Sequence, residues 1–191
     1  MSVSGPGGEF ALIGMAESAV GIVPDKSPRE LCVQVTLDAI KDAGLTLAEV
    51  DGLITCNAFA EPIMYHAEAV AEYIGWQPRH CVTVNTGGGT TFMALNMAAA
   101  AIQAGMANTI VVAMADSLRS FMTRDQAMLV QSSSGHPHYE QPYGPTVPAY
   151  YALIARAHMD QFDTTEAQFA EAAVSCLSLI HISEPTRPLY I

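Results

Sequence analysis

Basic side chains are scarce in this chain: eight Lys and Arg stand against 19 Asp and Glu, a formal net charge of −11. Binding a nucleic-acid backbone requires clustered cations, so that class of partner is excluded. The few basic residues are scattered, which argues equally against an anionic membrane surface. Cysteine is also sparse. Cys32, Cys56, Cys81 and Cys176 form no C-x-x-C pair and no metal-ligand spacing. They read as small hydrophobes in a reducing compartment rather than as a disulfide framework. No apolar run reaches the roughly 20 residues of a membrane span, because Asn96 and Gln103 interrupt the longest one. The opening MSVSGPGGEF has neither the basic start nor the apolar core of a signal peptide. The expectation is a soluble cytoplasmic protein.

What is present is apolar: half of the residues are hydrophobic and only 14% are charged, so the chain can build a real core. After a flexible start (1–9), FALIGMAES (10–18) has the pattern of a buried strand. SPRELCVQVTLDAIKDAG (27–44) carries helix punctuation: Ser27 as N-cap, Pro28 in the first turn, Glu30 at capping-box spacing and Gly44 as stop. Strands are expected at 52–57, 80–85 and 109–116, and helices at 66–76, 90–104, 148–162 and 164–175, the last capped by Thr164 or Thr165. Strands alternating with helices predict an α/β fold with a largely parallel sheet. The helix at 90–104 has almost no polar face, the pattern of a helix buried among other layers. From 117 to 147 the periodicity fails, and SSSGHPHYEQPYGP reads as a long loop or lid.

The stretch VNTGGGTT (84–91) joins the third expected strand to that apolar helix. No lysine follows the glycines, so it is not a P-loop, and G-G-G-T-T-F lacks the spacing of a dinucleotide fingerprint. Backbone N–H groups and the dipole at a helix start stabilise an oxyanion, or a thiolate where a cysteine is present. Cys81 lies at the wrong end of the strand to serve. A structural turn packed close against a buried helix is the competing reading. Thr90 and Thr91 carry hydroxyls without a base in the pattern, which points to capping. Asn85 is expected to hold the turn through its own backbone.

Four stretches in order resemble the N-terminal half of the thiolase superfamily, closest to its sterol-carrier-protein-type, lipid-transfer branch. They are FALIGMAES, SPRELCVQVTLDAIKDAGLTLAEVDGL, VNTGGGTTFMALNMAAAAIQAGMANTIVVAMADS and YGPTVPAYYALIARAHMDQFDTTEAQFAEAAV. HMDQFDT is similar to that branch's H-M-x-x-[FY]-G-T signature, with Asp163 in place of the usual glycine. The resemblance implies a thiolase-like N-terminal half over 10–175: a layered α/β fold with a mixed, mainly parallel sheet and a buried central helix. In Claisen-type members the turn reads like V-N-x-x-C-A-[ST]-G. Counting back from Ile102 and Gly105 puts that cysteine position on Gly88, with Gly89 and Thr90 following. Glycine cannot be acylated.

The resemblance therefore implies an acyl-CoA protein whose best-known nucleophile is gone. Retro-aldol cleavage of a CoA thioester needs a base and enolate stabilisation but no acyl-enzyme, and so fits the loss. A non-catalytic lipid or acyl-CoA binder is the alternative, and a Claisen acyltransferase is disfavoured by Gly88. No cofactor is implied beyond the CoA thioester as substrate, and no metal. A homodimer and a small partner with an OB-fold and a zinc ribbon are the implied associations. The expected site residues are Asn85, Gly88, Gly89 and Thr90 at the turn, with His136, His138 and Tyr143 as a substrate-facing loop beside Tyr139. His158 reads as a packed or capping side chain, His66 and His80 adjoin element ends with no partner pattern, and Asp116, ending the fourth expected strand, reads as a cap or a residue lining the site. From Cys176 the string CLSLIHISEPTRPLYI is expected to break the preceding helix, and SLIHISEPTRP resembles translated sequencing-adapter read-through. The expectation is a truncated N-terminal half with a foreign end at 176–191, the catalytic histidine and second cysteine region belonging to an absent second half.

Overall fold

The computed structural model describes residues 10–183, so the expected flexible start and the end of the tail lie outside the described residues. The structure divides into two units, 1–127 and 128–191. In the first, three short strands, β1 (Gly52–Thr55), β2 (His80–Thr83) and β3 (Ile110–Ala113), form a parallel sheet in the order β2-β1-β3. Gly52 pairs with both His80 and Ile110, and Thr55 with both Thr83 and Ala113. A Cβ on Gly52 would lie 2.6 Å from Ile110 Cγ1, so this register requires glycine at the strand entrance. The Asp51 carboxylate accepts hydrogen bonds from Asn108 N at 2.8 Å and Thr109 N at 2.9 Å, tying the start of β3 to that of β1. Burial works to raise the Asp51 pKa, but the Thr109 and Asn108 donors outweigh it and the net shift is downward.

Helices α1 (Pro28–Asp42) and α2 (His66–Ile74) cover one face of the sheet, and α3 (Thr90–Gln103) the other. Strand β1 is buried on both sides. Leu53 joins Cys32, Val35, Val70 and Ala113 on the first face, while Ile54 joins Val84, Ala94 and Ala98 on the second. Both side chains are fully buried, the signature of a central strand in a three-layer sandwich. The N-terminus of α1 is the expected capping box: Glu30 N donates to Ser27 Oγ at 3.2 Å and Ser27 N to Glu30 Oε2 at 2.8 Å.

Four expectations change. Residues 10–18 form no strand, because among the described residues no backbone hydrogen bond joins them to a sheet. The described ladders are all parallel, not mixed. Helix α3 is buried on one face only, through Thr90, Ala94, Ala98 and Ala101, while Phe92 is 73% and Met93 45% exposed. The stretch 117–147 is not one loop: it contains α4 (Leu118–Phe121), α5 (Arg124–Ser132) and a 3-10 turn at Gln141–Tyr143. Thr123 caps α5 by receiving Gln126 N at 3.3 Å and sending its own N–H to Gln126 Oε1, a local signal in TRDQ that outlasts the polar composition.

The second unit carries α6 (Val147–Phe162) and α7 (Glu166–Ser183). Between them Asp163 takes φ of 53°, the left-handed geometry that favours glycine. Thr165 caps α7, exchanging hydrogen bonds with Gln168. The helix does not break at Cys176 but runs to Ser183, since no proline or glycine occurs before Pro185.

Candidate active site

In a parallel sheet the segments that leave the strands emerge at one end, and open α/β sheets bind ligands there. At that end Thr55 leads into Cys56 and Asn57, Thr83 into the glycine turn, and Ala113 into Asp116 and Ser117. The turn is a short 3-10 helix, Gly87–Gly89, running directly into α3. Gly87 has φ of 66°, which explains one glycine; Gly88 and Gly89 are not left-handed, and a Cβ on either meets no atom within 4 Å. Asn85 through Gly89 are all exposed. The Gly88 position thus opens to solvent just before a 14-residue helix, whose first N–H, that of Thr90, is given to Gly87 O.

Thr90 is a clamp rather than a nucleophile. Its buried hydroxyl donates to Gly87 O at 2.6 Å and accepts from Thr86 N at 2.9 Å, so it holds the turn shut across its base. It does not bond the α3 amides, which differs from the helix-capping role expected of it. Thr91 Oγ1 contacts Met114 Sδ at 3.4 Å. The Asn85 side chain makes no hydrogen bond among the described residues, so its expected self-bonding is not seen.

Beneath the turn lies a polar group that the sequence pattern did not bring together. His66 opens α2 and is fully buried, with Nδ1 at 2.9 Å from Thr55 Oγ1. Thr83 Oγ1 accepts Ala67 N at 2.9 Å, so the ends of two strands hold the start of α2. Burial pushes the His66 pKa down, with smaller effects from Glu61, Arg29 and Asp116, and the ring is neutral. Among the described residues its buried Nε2 finds no partner, nor do the buried Asn57 Oδ1 and Ser117 Oγ. Cys56 is half-buried; burial raises its pKa, the Thr90 hydroxyl acts against this, and the Asp116 charge adds to it. It is therefore a protonated thiol rather than a thiolate nucleophile. Asp116 is a loop clamp, receiving the N–H groups of Phe59 at 2.6 Å and Ser117 at 2.7 Å. Arg29 pairs with Glu61 at 3.3 Å and lies over the Tyr73 ring, fixing the same loop against α1. Cys32 and Cys81 are pushed up by burial to about 12 and about 11, as inert core thiols.

His136, His138 and Tyr143 belong to the second unit, the glycine turn to the first. His136 stacks on Tyr139 at 4.7 Å and lies 5.9 Å from His138, so three of the loop's rings do gather, while Tyr143 is 85% exposed. His158 packs between Phe162 and Phe169 and bonds Thr164 Oγ1 at 3.0 Å, the structural role expected of it. No group of three or more potential metal ligands occurs among the described residues. The signal for Cys56, Asn57, His66 and Ser117 was available only indirectly. Once three parallel strands are assigned, whatever follows each strand must share an end.

No protein-family profile matches the chain. It is 25% identical over 169 residues to an acetyl-CoA acetyltransferase of Methanothermobacter thermautotrophicus, covering 87% of this chain and 43% of that one. It is 27% identical over 176 residues to the 17-hydroxy-3-oxo-4-pregnene-20-carboxyl-CoA lyase of Mycobacterium tuberculosis, covering 88% and 44%. Among solved structures, the Ltp2-ChsH2(DUF35) aldolase superposes with a TM-score of 0.58 at 28% identity, over 74% of this chain and 35% of that one. The chain is similar to thiolase-like proteins. It spans less than half the length of the curated relatives it matches. No helix among the described residues is long and apolar enough to cross a membrane.

Proposed function

We propose that this chain is part of an acyl-CoA enzyme of lipid metabolism that cleaves a carbon–carbon bond by a retro-aldol reaction on a CoA thioester. One observation carries the reading: Gly88, the position that the resemblance assigns to the Claisen cysteine, has no side chain and faces empty space where one would fit. In the reaction a base takes the β-hydroxyl proton and the Cα–Cβ bond breaks. Its electron pair passes into the thioester enolate, which is then protonated at Cα. Backbone N–H groups at the start of α3 are suited to the enolate oxygen, and no acyl-enzyme forms. The names of the lyase and aldolase relatives support this assignment. The base is not among the turn residues, since Thr90 is fully engaged and Cys56 is a protonated, half-buried thiol.

No cofactor is required beyond the thioester substrate, and the proposed setting is the cytoplasm. A homodimer and a second, OB-fold and zinc-ribbon subunit complete the proposal; an aldolase solved together with ChsH2(DUF35) supports a two-protein assembly. The test is a pair of assays on the full-length gene product, with and without candidate partner. Incubation with β-hydroxyacyl-CoA, steroidal and aliphatic, is expected to release a shortened acyl-CoA and a carbonyl product without added CoA. Product that appears only when free CoA is supplied indicates thiolysis and overturns the reading. Binding without turnover assigns the protein to acyl-CoA carriage instead.

A further inference from the structure

Asn57 leaves the central strand two residues after Thr55, and its amide is divided between inside and outside. Its Oδ1 is enclosed and, like His66 Nε2 and Ser117 Oγ at the same end of the sheet, finds no partner among the described residues. Its Nδ2 is neither enclosed nor hydrogen-bonded among the described residues, so it meets solvent. The enclosed groups explain this orientation. Among the described residues Thr55 Oγ1 has only His66 Nδ1, at 2.9 Å, as partner, so the hydroxyl proton goes to Nδ1 and Nε2 keeps the ring's own proton. The enclosed donors of His66 and Ser117 favour an oxygen on the inner side of the amide. The loop from Asn57 to His66 is held at three points. Asp116 receives Phe59 N at 2.6 Å and Ala60 N at 3.4 Å, Glu61 pairs with Arg29 at 3.3 Å, and His66 is bound to Thr55.

The exit of β1 is also joined to the glycine turn. Val84 N donates to Thr55 O at 2.8 Å, and the Thr90 hydroxyl bears on the Cys56 thiol. Two N–H groups of the turn are already engaged, Thr90 N with Gly87 O and Thr86 N with Thr90 Oγ1. Charge that develops on an oxygen over the turn therefore gains from a further donor fixed in place beforehand. Asn57 Nδ2 is such a donor: uncharged, unengaged among the described residues, and carried by a pinned loop at the strand end that holds the turn. We propose that Asn57 is a catalytic residue of the retro-aldol reaction, its Nδ2–H donating to the thioester oxygen. As the Cα–Cβ bond breaks and its electron pair passes into the enolate, this hydrogen bond strengthens while the amide keeps its proton. The inference rests on the reaction proposed above and names a side chain that steadies its enolate.

The test uses the full-length gene product, with its candidate partner, in two measurements. Infrared difference spectra of bound butyryl-CoA, isotope-labelled at its thioester carbonyl carbon, need no turnover because this ligand has no β-hydroxyl. In the native protein the carbonyl band is expected to fall below its position in free butyryl-CoA, and in Asn57→Ala to return most of the way. With a β-hydroxyacyl-CoA that the native protein cleaves, Asn57→Ala is expected to lose about 100- to 1,000-fold in kcat, with KM nearly unchanged. Asn57→Asp keeps the size of the side chain and removes the donor. It should lose at least as much, and it decides the matter if the alanine variant fails to fold. The proposal is overturned if the band does not move on binding, if it moves equally in the variants, or if the loss falls in KM alone. Should the native protein cleave no β-hydroxyacyl-CoA, the retro-aldol reading fails, and a band shift lost in the variants still assigns Asn57 to the thioester oxygen.

Discussion

Around Gly88 there is room for a side chain, and Gly87 beside it has none to spare conformationally. Gly88→Cys is therefore expected to fold with a stability change within about 0.5 kcal/mol, measured by urea unfolding. Its thiol, exposed at a helix start, should react with iodoacetamide faster than the native half-buried Cys56. Gly87→Ala is expected to lose about 1–2 kcal/mol, because φ of 66° forces an L-residue into left-handed geometry. Equal stability of the two variants would contradict the described turn. His66 supplies a pH signature. Its folded pKa lies below the ordinary value of 6.5, so near that pH the unfolded chain binds more protons than the folded one. Stability is then fully present above about 6.5 and falls as pH drops from there through the folded pKa. His66→Gln should flatten this slope in denaturant melts collected across that window.

At the scale of elements, α3 decides how the first unit behaves. Its Ala94, Ala98 and Ala101 let it lie close on the sheet, but the same apolar sequence continues round to Phe92 and Met93, which are left bare. Such a face invites self-association. The double change Phe92→Ser and Met93→Gln is expected to lower the concentration dependence of the sedimentation coefficient without altering the melting midpoint by more than a few degrees, since neither side chain is buried. The elements most readable from sequence were those with their own local punctuation. The capping box of Ser27 and Glu30 and the Thr165–Gln168 exchange define helix starts without reference to the rest of the chain. The segment 10–18 failed for the opposite reason: its apolar pattern matches a strand, but a strand exists only when another backbone lies alongside.

For the whole molecule, the loss of the cysteine at Gly88 predicts that the 191-residue chain does not thiolyse acetoacetyl-CoA. A spectrophotometric assay of thioester disappearance in the presence of CoA checks this, and turnover above the uncatalysed rate would refute it. Periodicity and punctuation were enough to establish the α/β alternation, the helix at 28–42 and a glycine turn between a strand and a helix, because each rests on residues close together along the chain. The burial of His66 against Thr55, the Thr90 clamp, the neutral thiol of Cys56 and the divided amide of Asn57 emerge only when three strands lie parallel. Side chains separated by up to about sixty residues then share one end of the sheet, and desolvation there, rather than residue type, sets which of them can react.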